Sequence, residues 1–172
     1  MGGMIAQEIV FNYTERIEKL ILCSTHCGGS KKILPSNEIV ISLLKLKEHG
    51  TSEQIIQDFI PLIYTKEFIE SNRVFIESFK KKVLKFPIQS DSFQRQFNAC
   101  DHFRAGVRLK KVRTPTLIIQ GKKDIFVHPE NAEILNKMIY NSKLILLNNA
   151  AHLFYQPKPE EIVNNILEFL TT

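Results

Sequence analysis

Three short, uninterrupted apolar runs punctuate an otherwise helix-periodic chain: "KLILCS" from Lys19, "TPTLIIQG" from Thr114 and "SKLILLNNA" from Ser142. Each has the length of a strand and lacks polar alternation, the pattern of a strand buried on both faces of a parallel sheet. Helical spacing surrounds them. Met4, Ile5, Ile9 and Val10 form a stripe ahead of the first run, although no capping residue precedes it and the chain opens inside a helical pattern. Pro129 stands where a first-turn proline favours a helix start, ahead of Ala132, Leu135 and Ile139. In "KPEEIVNNILEFL", Pro159 and two acids open a helix that carries Ile162, Ile166 and Leu170 on one face.

Helix, strand, helix, strand and helix in alternation predict an α/β layer architecture with three parallel strands near Leu20, Leu117 and Ile145. One connection is far longer than compact domains use, running from Ser24 to Arg113. It is not low-complexity sequence, because "EIVISLLKL", "SEQIIQDFIPLIY", "EFIESNRVFIESFKKKVL" and "SFQRQFNACDHF" all carry helical periodicity. The prediction is a core made of residues 1–30 and 110–172, with residues 31–109 as a helical insertion on one end of the sheet.

Composition narrows this picture. The chain has 172 residues, 44% hydrophobic and 24% charged, enough for one core. It has no apolar stretch of membrane-spanning length and no signal-peptide pattern, so a cytoplasmic chain without membrane association is expected. Cys23, Cys27 and Cys100 are an odd number in a chain that needs no staples, which fits a reducing compartment. Cys23, His26 and Cys27 cluster in "CSTHC", but no second ligand pair follows at zinc-site spacing, and neither metal nor other cofactor is expected. The formal net charge of +5 is spread out except at Lys80, Lys81 and Lys82, which read as a solvated helix face; no basic and aromatic stripe suggests nucleic acid.

Open α/β sheets carry chemistry on the loops beyond the carboxyl ends of their strands. "TLIIQG" runs into "KKD", leaving Asp124 just past the second strand, and "LILLNNA" runs into "AHLF", leaving His152 just past the third. An acid and an imidazole on neighbouring loops are two members of a nucleophile, base and orienting-acid system. Taken singly, an Asp in "GKKD" is most often a turn residue and a lone His after a strand more often a hydrogen-bonded structural one. His128, beside Pro129 at a helix start, reads as structural.

These motifs, in order, resemble the C-terminal part of a cap-bearing α/β-hydrolase of the branch that includes the enol-lactone hydrolases. "MGGMIAQEIVFNYTERIEKLILCSTHCGG" resembles the segment after the nucleophile, "PTLIIQGKKDIFVHPENAEIL" the acid loop, and "NNAAHLFYQPKPEEIVNNILEFL" the histidine loop and final helix. The resemblance implies that Asp124 is the triad acid and His152 the general base, and that the insertion is a substrate-selecting cap. In that family the serine lies in G-x-S-x-G. Met1 and Gly2 match its last two positions, so the serine would immediately precede Met1 and the Met1 amide would be an oxyanion-hole donor. Asn149 and Ala150 stand where the family commonly has glycine, Thr14 where proline is common and His128 where proline is frequent.

The resemblance implies hydrolysis of a small ester, lactone or acyl compound by the intact form, with this chain inactive alone. The alternative is a non-catalytic interaction module derived from a hydrolase. Ser24 and Cys27 are the residues that could replace the nucleophile, though neither sits on a strained elbow. Phe59, Tyr64, Phe68, Phe75, Phe79 and Phe97 either line a pocket in the insertion or pack its helices. Without a neighbour for the first strand, an apolar edge and the faces of Ile5 and Ile9 are expected to bind an N-terminal half or a second copy.

Overall fold

A computed structural model describes residues 1–48, 52–87 and 90–171. Helix α1 (Gly2–Asn12) leads into strand β1 (Leu20–Cys23), and β2 (Thr116–Gly121) and β3 (Ser142–Leu147) complete a three-stranded sheet in the order β1-β2-β3. All pairings are parallel, as the apolar runs predict. Leu20 faces Thr116 and Cys23 faces Ile119, while Thr116 to Gly121 pair in step with Ser142 to Leu147. The central β2 is buried at every position, which explains why its sequence carries no alternation.

Two layers cover the sheet. Helices α1 and α7 (Glu130–Met138) lie on one face, where Met4, Val10, Leu20, Leu22, Ile118, Leu135 and Ile139 share a cluster. Helix α8 (Pro159–Thr171) covers the other, where Ile162 joins Leu117, Ile119, Leu147 and Phe154. Lys19 secures the end of α8 by donating from Nζ to the carbonyls of Phe169 and Leu170 at 2.7 and 2.9 Å. A cation there meets the negative end of the helix dipole.

The long connection forms helices α2 (Asn37–Glu48), α3 (Ser52–Ile63), α4 (Lys66–Ser71), α5 (Arg73–Lys85) and α6 (Ser90–His102). The periodic stretch from Glu67 to Leu84 is not continuous. It breaks at Asn72, whose backbone leaves the helical region at φ −127° and whose Nδ2 donates to the carbonyl of Phe68 at 2.9 Å. A separate apolar cluster forms from Ile60, Leu62, Ile63, Tyr64 and Ile76. The aromatic residues of this region mostly pack against one another: Tyr64 stacks on Phe68 and meets Phe75 and Phe79 edge to face. Phe103, Ala105 and Leu109, which follow α6, instead join the cluster under α1.

The stripe on α1 divides in space. Met4 and Val10 are buried, whereas Ile5 and Ile9 remain 51% and 42% exposed, so the helix is apolar on two faces and only one meets the sheet. Among the described residues, no helix is long and apolar enough to cross a membrane.

Candidate active site

Strand β2 delivers its loop to the carboxyl edge of the sheet through a close approach that only glycine permits. A Cβ on Gly121 would stand 2.3 Å from the carbonyl oxygen of Ala150 and 2.4 Å from that of Ala151. Two amides just beyond it reach the neighbouring loop: Lys122 donates to the carbonyl of Leu147 at 3.0 Å and Lys123 to that of Ala150 at 2.9 Å. The loop after β3 turns through Asn149, in the left-handed region at φ 55°, which asparagine tolerates better than most residues. Asparagine thus performs the turn for which glycine is the common residue in the resembling family.

These two loops bring Asp124 and His152 together. Nδ1 of His152 lies 2.9 Å from Oδ2 of Asp124, within the range expected of an orienting acid and a base. Asp124 is almost wholly buried, and its other contacts show how a carboxylate is kept there. Its Oδ1 accepts from the amides of Phe126 at 2.9 Å and Val127 at 2.8 Å, and Oδ2 also accepts from Nε2 of Gln120 at 2.8 Å. A carboxylate surrounded by donors has only acceptor capacity to offer, so Nδ1 of His152 donates to it, and in the neutral form of the ring the lone pair falls to Nε2. The imidazole retains some exposure, 19% of its side chain, and rests edge to face on Phe126 with ring centroids 4.8 Å apart.

The other candidates are placed elsewhere. Met1 stands half exposed at the start of α1, where its carbonyl accepts from the amides of Met4 and Ile5 at 2.9 and 3.2 Å. Ser24, in the left-handed region at φ 44°, donates its hydroxyl to the backbone carbonyl of His152 at 2.8 Å and so supports the loop. Cys27 is buried, with Sγ directed to the carbonyl of Gly28. His128 accepts from the amide of Glu130 at the start of α7, a structural role. His26 accepts from the amide of Gly28 at 3.0 Å; burial, together with the nearby Lys32 ammonium, pushes its pKa down to about 4. Among the described residues, no group of three or more His, Cys, Asp or Glu could hold a metal ion.

Sequence reasoning did not single out Gln120 or Phe126. A polar residue ending a buried strand was a legible signal for Gln120, but nothing local marked Phe126, whose ring matters only because β3 brings His152 beside it.

A parallel sheet with an acid loop and an imidazole loop at one edge, beneath a helical insertion, is an α/β-hydrolase arrangement. Comparison with known proteins agrees: residues 1–156 match the family described as "Serine aminopeptidase, S33", and the chain belongs to this α/β-hydrolase family. Among curated relatives, it is 25% identical over 179 residues to a pimeloyl-[acyl-carrier protein] methyl ester esterase of Nitrosospira multiformis, covering 98% of this chain and 65% of that protein. It is 26% identical over 183 residues to a 2-hydroxy-6-oxononadienedioate/2-hydroxy-6-oxononatrienedioate hydrolase of Burkholderia vietnamiensis, covering 99% of this chain and 59% of that protein. The enol-lactonase of Burkholderia xenovorans superposes with a TM-score of 0.84 at 20% identity, covering 100% of this chain and 63% of that structure. The chain therefore spans somewhat less than two thirds of the length of such relatives.

Proposed function

We propose that this chain supplies the base and orienting acid of a serine hydrolase acting on small carboxylic esters, lactones or related acyl compounds. The observation that carries this reading is the bond between His152 and a buried Asp124 whose remaining acceptor sites are filled by Phe126, Val127 and Gln120. In the reaction, Nε2 of His152 takes the proton as a serine hydroxyl attacks the acyl carbon, and then returns it to the departing alkoxide. Water repeats the sequence on the acyl-enzyme. Asp124 stays ionised, holds the Nδ1–H tautomer and stabilises the imidazolium. The methyl ester esterase among the relatives and the enol-lactonase among the similar structures support the acyl substrate class.

The nucleophile completes the proposal. We assign it to a serine presented at the N-terminal end of α1, as the match of Met1 and Gly2 to the end of G-x-S-x-G suggests, with the Met1 amide as an oxyanion-hole donor. The segment bearing that serine would dock where β1 is an edge strand and where Ile5 and Ile9 of α1, with Met1 and Tyr13 at its two ends, are exposed. A second copy of the chain would compete for the same surface. The test is hydrolysis of p-nitrophenyl butyrate by this chain alone and by the chain with a complementary N-terminal segment carrying Gly-x-Ser. Turnover only in the complemented form, abolished by His152→Ala, is expected. Turnover by the chain alone that both His152→Ala and Asp124→Ala remove would relocate the nucleophile, and no turnover in either form would favour the interaction module. Light scattering across a concentration series checks the docking surface, for which a monomer at every concentration would be contrary.

A further inference from the structure

Helix α3 reaches both loops of the acid and imidazole pair. Phe59, in its second half, meets Phe126 edge to face, with centroids 5.7 Å apart and planes at 81°. Phe126 in turn meets the His152 imidazole at 4.8 Å and 89°, while its own amide donates to Oδ1 of Asp124 at 2.9 Å. At the end of α3, the carbonyl of Ile63 accepts from the amide of Leu153, the residue after His152, at 3.0 Å. The last carbonyls of a helix have no partner within it, so this one is free to hold the loop. One helix of the insertion thus grips the pair from two sides.

We infer that Phe59 and Phe126 form an aromatic strut through which α3 fixes the imidazole of His152 against Asp124, making Phe126 a positioning residue for the pair. Beyond its covalent link to Cβ, the imidazole is held by the bond from Nδ1 to Asp124, which leaves the tilt of the ring plane to be set by what packs against its face and edge. A phenyl ring set perpendicular to the imidazole fixes that tilt, and perpendicular contact is a favoured geometry for aromatic rings. Phe126 is itself only half buried, so its ring needs a backing, and Phe59 provides it. The strut deepens the proposed function and rests on that reading for its consequence, a base held in register. Its physical content is the restraint on the ring.

The experiment is nuclear magnetic resonance of the ¹⁵N-histidine-labelled full chain, reading solvent exchange of the His152 Nδ1 proton and the tautomer at neutral pH. In Phe59→Leu and Phe126→Leu, exchange accelerates by roughly two- to tenfold, the range set by the worth of one aromatic pair. Phe126→Tyr, which keeps the ring, restores slow exchange. Phe75→Leu provides the control, since its ring meets Tyr64, Phe68 and Phe79 instead and its loss lowers stability without touching the strut. Unchanged exchange in Phe59→Leu, or equal acceleration in Phe75→Leu, would overturn the inference. Because no hydrolysis is read, a failure of the serine hydrolase assignment leaves this result standing, and loss of the strut leaves that assignment standing.

Discussion

Replacing Asp124 by Asn changes one atom and reverses the hydrogen-bonding sense of half the side chain. Oδ1 can still accept from Phe126 and Val127, now as a neutral oxygen. Where Oδ2 stood, an amide NH₂ confronts two donors, Nε2 of Gln120 and Nδ1 of His152. Relief is available at both. The Gln120 side chain can turn its oxygen, which is buried without a partner, towards the new amide, at the expense of its longer contacts to the carbonyls of Gly121 and Val127. The imidazole can move its proton to Nε2 and accept at Nδ1. All four bonds to the carboxylate, about 1.5–3 kcal/mol each, then become neutral ones of about 1 kcal/mol, so the expected loss is at least about 2 kcal/mol. For a chain of this size, that corresponds to a fall in Tm of roughly 4–8 °C. Asp124→Ala, which leaves the Phe126, Val127 and Gln120 donors unsatisfied, costs more, about 4 kcal/mol. Thermal unfolding and the ¹⁵N shifts of His152 read the two effects. A wild-type imidazole protonated at Nε2, or one whose tautomer Asp124→Asn does not alter, would refute the reasoning.

Further expectations follow from single contacts. Gly121→Ala drives a Cβ into the carbonyls of Ala150 and Ala151, which are backbone atoms that cannot swing aside, and should cost about 3 kcal/mol in denaturant unfolding. His26 has a folded pKa of about 4, below its unfolded value near 6.5, so the folded state favours neutral imidazole. Its contribution is complete above about pH 6.5 and is lost as pH falls towards 4, amounting to about 2 kcal/mol once partial exposure is discounted. The stability difference between wild type and His26→Asn should therefore change across that window, and a difference independent of pH would contradict it. Ser24→Ala removes the bond to the His152 carbonyl, costs about 1 kcal/mol and leaves the imidazole tautomer unchanged, as tautomer shifts and thermal melts would show.

Local sequence determined the strands, the starts of α7 and α8, and the two loops that carry Asp124 and His152. Those features depend on short-range physics: a run of apolar residues demands burial on both faces, and proline with acids in the first turn opens a helix. Tertiary structure decided the rest. Periodicity could not say that Met4 and Val10 would meet the sheet while Ile5 and Ile9 stay exposed, because all four lie in one apolar helix-periodic stretch and the sequence does not mark which face the sheet takes. Nor could it reveal the break at Asn72, where Nδ2 satisfies a Phe68 carbonyl while the backbone departs from helical angles. The spacing of 28 residues between Asp124 and His152 allowed a meeting, but the parallel register of β2 with β3 and the close approach at Gly121 set it at 2.9 Å. Gln120, Phe126 and Phe59 acquire their roles only there, since a hydrogen bond or ring contact between distant segments depends on angles and distances that no residue carries alone.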